Sequence, residues 1–154
     1  MSKLIPLQMR IQIILGVLTV AAAVVLLAPA AALADGAVVL GIPGDVAADG
    51  FSYGYRVNAP NRKEARDTAF EACRNNKVAP ESARKLCTMV ADFRNECVAI
   101  AMDPKNGTPG VGVAIAADRE TAEDRAIGFC RATAGKSRQE FCKIDAVACD
   151  GTRN

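Results

Sequence analysis

Asn61-Arg62-Lys63-Glu64-Ala65-Arg66-Asp67-Thr68-Ala69-Phe70-Glu71-Ala72-Cys73 and Asp118-Arg119-Glu120-Thr121-Ala122-Glu123-Asp124-Arg125-Ala126-Ile127-Gly128-Phe129-Cys130 are two versions of one segment. A shift of 57 positions lays Asn61-Arg62 on Asp118-Arg119, Ala65 on Ala122, Asp67 on Asp124, Ala69 on Ala126 and Cys73 on Cys130. Each version reads as a helix. Asn61 and Asp118 are N-cap residues, and Glu64 stands three places after Asn61 in the manner of a capping box. Pro60 stiffens the approach. Ala65, Ala69, Ala72 and Cys73 recur at helical spacing on one face, as do Ala122, Ala126, Phe129 and Cys130. Alanine on a buried face lets a helix lie close to a sheet, and a cysteine in the last turn can reach a neighbouring strand.

The duplication extends outward. Tyr53-Gly54-Tyr55 precedes the first helix as Val111-Gly112-Val113 precedes the second, with one residue of slippage. Downstream, Cys87 and Cys97 correspond to Cys142 and Cys149 across shorter spacers. Short runs of strand character cover Ala37 to Ile42, Phe51 to Val57, Leu86 to Phe93, Cys97 to Met102, Val111 to Ala116 and Cys142 to Ala148. Asp103-Pro104-Lys105-Asn106-Gly107 supplies turn chemistry between two of them, and Gly41, Pro43, Gly44 and Gly50 bracket another connection. The order ββαβ, then ββαβ, predicts a small disulfide-stabilised α+β domain. Its two helices pack on an antiparallel or mixed sheet, and its repeats cover about residues 37–93 and 97–149.

All six cysteines, Cys73, Cys87, Cys97, Cys130, Cys142 and Cys149, follow the amino-terminal segment described next. An even number in an oxidising compartment reads as three disulfides. The competing reading, a metal site, meets two obstacles: there is no C-x-x-C pair and no histidine. Sequence does not dictate the pairing. Pseudo-symmetry favours Cys73–Cys87 and Cys130–Cys142, each tying a helix end to the next strand, with Cys97–Cys149 joining the halves.

Residues 1–34 read as a signal peptide. Lys3 and Arg10 are followed by an apolar run over about residues 11–27, then Pro29, and Ala32-Leu33-Ala34 fits the A-x-A cleavage pattern. Cleavage after Ala34 leaves residues 35–154 as one exported domain, secreted or periplasmic. The alternative is an uncleaved anchor, since the apolar run reaches the lower edge of the about 17–25 residues that span a bilayer. The chain carries 19 basic and 17 acidic residues, and Lys3 and Arg10 leave with the segment, so the exported part is neutral. A neutral domain has no broad attraction for phosphate backbones, which argues against nucleic-acid binding. Membrane contact is expected only through the export signal, or through the anchor if it stays.

Phe93-Arg94-Asn95-Glu96-Cys97-Val98-Ala99-Ile100-Ala101 carries the phrase F-R-N-x-C-x-A-x-A. It stands between one Ala-rich helix ending in a cysteine and a second, which is followed by a closing cysteine strand. This arrangement resembles the bacterial exported family called domain of unknown function 4189, over roughly Gly36 to Cys149. The resemblance implies a secreted or periplasmic disulfide-bonded module and brings no activity, cofactor or catalytic residue with it.

The chemistry available is limited. Without histidine, the Ser-His-Asp and Cys-His routes to nucleophilic catalysis are closed. Gly107 to Gly112 lacks the Lys-Ser/Thr ending of a phosphate loop. Asp92 with Glu96, and Asp145 with Asp150, are formal carboxylate pairs, but solvated surface acids are the plainer reading. Arg94 and Asn95 form either a turn, with Arg94 paired to Asp92 or Glu96 and the Asn95 side chain bonding nearby backbone, or a recognition loop. Tyr53 and Tyr55 share a strand face and read as half-buried packing before they read as a binding platform. Asn106-Gly107-Thr108 matches a glycosylation sequon. The sequence thus predicts a non-enzymatic binding or envelope module without cofactor or metal, acting on an unknown protein or envelope component. A secreted effector or inhibitor and a small carboxylate-dependent hydrolase are the alternatives.

Overall fold

The computed structural model describes residues 35–151, which fall within one compact unit. The proposed signal segment and its cleavage site lie outside the described residues. The elements are β1 (Asp35–Gly41), α1 (Val46–Asp49), β2 (Ser52–Ala59), α2 (Arg62–Arg74), α3 (Glu81–Arg84), β3 (Thr88–Phe93), β4 (Cys97–Met102), β5 (Val111–Ala116), α4 (Arg119–Thr133) and β6 (Lys143–Cys149). The expected ββαβ repeat is present, with the short helices α1 and α3 added in loops too short to show a helical period. Among the described residues no helix is long and apolar enough to cross a membrane.

The sheet is in fact two three-stranded antiparallel sheets, ordered β2-β1-β3 and β5-β4-β6. Each repeat therefore completes its own sheet around its first strand. The central strands are covered on both faces and read as unbroken apolar runs. From β1, Ala37 and Val39 pack under α2 against Ala65, Ala69 and Cys73. From β4, Ala99 and Ala101 pack under α4 against Ala122, Ala126 and Cys130. The opposite faces meet in a third cluster of Val38, Leu40, Phe93 and Val98, with Tyr53, Tyr55, Val57, Val113 and Ile115 against it. The layers run helix, sheet, sheet, helix.

The caps form as the sequence predicts. Asn61 accepts from the Glu64 N–H at 2.9 Å, and Asp118 accepts from the Thr121 N–H at 2.8 Å. The buried stripe is narrower than expected, however. Ala72 is exposed, and Phe129 is 54% exposed. Steps of four residues carry Ala65, Ala69 and Cys73 down a single line, and likewise Ala122, Ala126 and Cys130. Ala72 and Phe129 each precede the cysteine by one residue, so they point about 100° away.

The two halves match in register. Val39 faces Gly54 on one side and Met89 on the other, and Ala101 faces Gly112 and Ile144 in the same way. A bulge skips Val90 in β3, and another skips Asp145 at the corresponding place in β6. The single residue of slippage also has a structural cause. An irregularity between β1 and β2 sets Asp35 opposite Ala59 but Ala37 opposite Arg56. It gives the first half one extra residue near Asn58, which sits at φ 56°.

Glycine sets how closely each helix lies on its sheet. A Cβ on Gly54 would fall against the Ala69 carbonyl and the Cys73 amide. One on Gly112 would fall against the Ala126 carbonyl and the Cys130 amide, the same two helix positions. The repeated glycine is thus a contact surface for the helix backbone.

The disulfides are Cys73–Cys87, Cys130–Cys142 and Cys97–Cys149. The first two have Cα–Cα distances of 6.2 and 5.9 Å and tie the last turn of α2 or α4 to the approach to the next strand. The third does not join the halves, as the sequence reading had it. Cys97 opens β4 and Cys149 closes β6, and the two face each other within the second sheet. The matching register puts Asp35 in the place of Cys97 and Arg94 in the place of Cys149. There an ion pair takes the position of the bridge: Arg94 donates through Nε and Nη2 to Asp35 Oδ1 at 3.0 and 2.7 Å. The cysteines therefore form two equivalent pairs and one pair peculiar to the second half, rather than two equivalent sets of three. No disulfide crosses between the halves.

Candidate functional site

No disulfide links the halves; beside the apolar cluster between their sheets, polar contacts join them along one seam. Among the described residues, Asn58 and Asn95 are the non-glycine residues with positive φ, at 56° and 53°. Asparagine tolerates this left-handed region better than most side chains. Both aim their backbone N–H at one carboxylate: Asn58 N donates to Asp150 Oδ1 at 2.7 Å, and Asn95 N donates to Asp150 Oδ2 at 3.1 Å. Gly151 N then donates to Asn58 Oδ1 at 2.8 Å, and Asp150 N donates to the Glu96 carbonyl at 2.8 Å. Asp150 has no solvent exposure. It is a structural clasp and not the solvated acid expected.

Arg94 and Asn95 also correct the sequence reading. Arg94 pairs with Asp35, because Asp92 is taken by Arg66, with Arg62 Nε at 3.7 Å. Asn95 contributes its backbone N–H to Asp150 and so serves the seam. Neither residue lines a cavity described here.

Beyond the clasp, a cleft of about 550 Å³ opens between loops of the two halves. Val46 to Ala48, Phe51, Tyr53, Val78 and Pro80 line it from the first half. Met102 to Thr108, Gly110 and Asp145 line it from the second. Phe51, just before β2, and Tyr53 line it with ring centroids 5.9 Å apart, and the aromatic row continues along β2 to Tyr55, 6.4 Å from Tyr53 and outside the cleft lining. Tyr53 donates its O–H to Asp145, the residue skipped by the bulge in β6. Burial, followed by this hydrogen bond, pushes the Tyr53 phenol well above its ordinary range. It stays a neutral donor throughout the physiological range. Both tyrosines pack against the inter-sheet cluster, and Tyr53 also lines the cleft.

The far wall is the loop that the sequence showed only as a turn, and an ion pair holds it. Arg138 donates to Asp103 through Nε at 2.7 Å and Nη2 at 2.6 Å, and Lys105 N donates to Asp103 Oδ1 at 3.0 Å. The Arg138 guanidinium also lies 4.1 Å over the Phe141 ring. The Asp103 side chain is 0% exposed, so its charge is stabilised by this fork. The hydrogen bonds from Arg138 hold the Asp103 carboxyl at about 2, below the ordinary 3.8. A depressed carboxylate adds stability that is complete above the unfolded value and lost as pH falls through the folded one. Acid is therefore expected to loosen the cleft wall between about pH 4 and pH 2. Arg138→Ala should lower stability already at neutral pH and shrink or abolish the further loss between about pH 4 and pH 2, since Asp103 then has no guanidinium to hold its carboxyl down, and an unchanged acid profile would refute the assignment.

Sequence reasoning missed Asp103, Arg138 and the clasp, because each joins residues far apart in the chain. Among the described residues no group of histidine, cysteine, aspartate and glutamate could hold a metal ion. No curated protein and no solved structure matches the chain. The family described as Domain of unknown function (DUF4189) matches residues 44–149, from the connection after β1 to the last residue of β6. That match takes in the inter-half cleft and both glycine contacts, and the chain belongs to the DUF4189 family.

Proposed function

We propose that this protein is an exported, non-enzymatic binding module that holds a protein or envelope component in the cleft between its halves. The observation that carries the reading is the cleft itself. It presents apolar walls (Val46, Ala47, Phe51, Val78, Pro80, Met102) together with hydrogen-bonding groups from Asn76, Asn106 and Thr108. Binding sites commonly combine a mostly apolar concavity with a few fixed polar groups. Val78 is 93% exposed, an unusual position for an apolar side chain with no partner to cover it. The cysteine bridges and the export signal read in residues 1–34 are both in keeping with an oxidising compartment.

The engaged carboxylates also support a binding role. Asp92 is held by Arg66, Asp103 by Arg138, Asp145 by Tyr53 and Asp150 by backbone amides. A carboxylate hydrolase needs one acid free to carry a proton and another free to attack or activate water.

Placing a photo-reactive amino acid at position 78 in the producing cell tests the reading. A discrete adduct is expected from position 78, and filling the cleft with Ala48→Trp should suppress it. Position 90, exposed on β3 and away from the cleft, should give none. Equal labelling at both positions, or labelling that ignores Ala48→Trp, would refute the cleft as the binding site.

A further inference from the structure

Asn106-Gly107 stands in the cleft wall, and both residues are exposed. It is the one Asn-Gly step in the chain. We propose that Asn106 is a site of spontaneous deamidation, which slowly adds a negative charge to the rim of the cleft. The reaction needs a backbone nitrogen to reach the side-chain amide of the preceding asparagine. Glycine favours it, because no Cβ obstructs the approach and its backbone is the most mobile.

The step balances without an added reagent other than water. The Gly107 nitrogen loses its proton to solvent base and attacks Asn106 Cγ. The N–Cγ bond forms, the Cγ–Nδ2 bond breaks, and ammonia leaves with a proton from solvent. Water then opens the five-membered succinimide at either carbonyl. One opening gives aspartate. The other gives isoaspartate, in which the backbone passes through the former side chain and is longer by one methylene. Nothing is oxidised or reduced.

The surroundings select this step over its neighbours in the fold. Around Asn106, hydrogen bonds run from Lys105 N to Asp103 and from Thr108 Oγ1 to the Lys105 carbonyl, and none engages the Asn106 amide or the Gly107 N–H. The other described asparagines are either tied or followed by a bulkier residue. Asn61 caps α2, Asn58 accepts from Gly151, and Asn76 accepts from Val78 N. The Asp-Gly steps, which form the same ring by loss of water, are also restrained. Gly50 N donates to the Val46 carbonyl and Gly151 N to Asn58, while Asp35-Gly36 lies buried in β1. Only at 106–107 are an exposed side-chain amide and an unengaged glycine N–H brought together among the described residues. The product carboxylate would stand beside Lys105 on the cleft wall.

The test is peptide mass mapping of the oxidised full chain, incubated without added enzyme at several pH values. The peptide spanning 106–107 should gain about one mass unit with release of ammonia, faster as pH rises, since asparagine is a thermolabile residue and base generates the attacking nitrogen. Asn106→Gln should abolish the gain. Gly107→Ala should slow it by about tenfold or more, since a Cβ hinders the approach. Gly107 sits at φ 78°, so the glutamine variant provides the test that does not strain the turn. A gain at Asn75 or Asn95 of the same rate, or none at 106 under conditions that deamidate a short Asn-Gly peptide, would overturn the proposal.

Discussion

Alanine in place of Gly54 or Gly112 is expected to destabilise the oxidised protein by about 1–3 kcal/mol or more, as overpacking of a tight contact does. The new methyl would collide with helix backbone, at Ala69 and Cys73 in one half and at Ala126 and Cys130 in the other. Backbone in mid-helix cannot swing aside as a side chain can. The whole helix must lift, and the disulfide at its last turn resists that movement. Both substitutions should lower the urea midpoint by similar amounts, because the two contacts are equivalent. Gly44→Ala is the control, with nothing within 4 Å of an added Cβ. If either substitution leaves the midpoint unchanged, the close-approach account fails for that half.

Removing the clasp should cost as much or more. Asp150→Ala leaves the Asn58 and Asn95 N–H groups without their acceptor inside the seam, at about 1–3 kcal/mol for each unsatisfied donor. The expected loss is therefore about 2–6 kcal/mol. Asp150→Asn should recover only part of it, since its amide nitrogen would face one of the two N–H groups. Each half keeps its own sheet and disulfides, so the damage should begin at the seam. Amide exchange at Asn58 and Asn95 should accelerate before exchange in β1 and β4. Uniform acceleration throughout would show that Asp150 does not act at a distinct seam.

The local architecture was legible because its signals are local. Cap residues, alanines four apart and a cysteine at the last turn define α2 and α4 from the chain alone. The pairing of each helix cysteine with the next one downstream follows from the same short-range logic. The relation between the halves was not legible. The cap Asp118 stands six positions after Gly112, but Asn61 stands seven after Gly54. That extra residue is the trace of the bulge at Asn58, and it could have indicated a special position there. Nothing comparable marks Asp150, whose partners lie 92 and 55 residues away. Cys97–Cys149 was misread as a bridge between halves because cysteines were matched by order, while the strands match by register. Arg94 was misread for the same reason: its partner Asp35 neighbours it across a sheet and not along the chain.

The substitution of Arg94–Asp35 for Cys97–Cys149 has a consequence for how the protein answers its surroundings. Two copies of one unit are fastened at the same corner, one by charge and the other by a covalent bond. Dissolved salt weakens attraction between partly exposed charges and leaves sulfur–sulfur bonds alone. A reductant does the reverse. The duplication has therefore produced a molecule whose first half is sensitive to ionic strength at this corner, and whose second half is sensitive to thiols there.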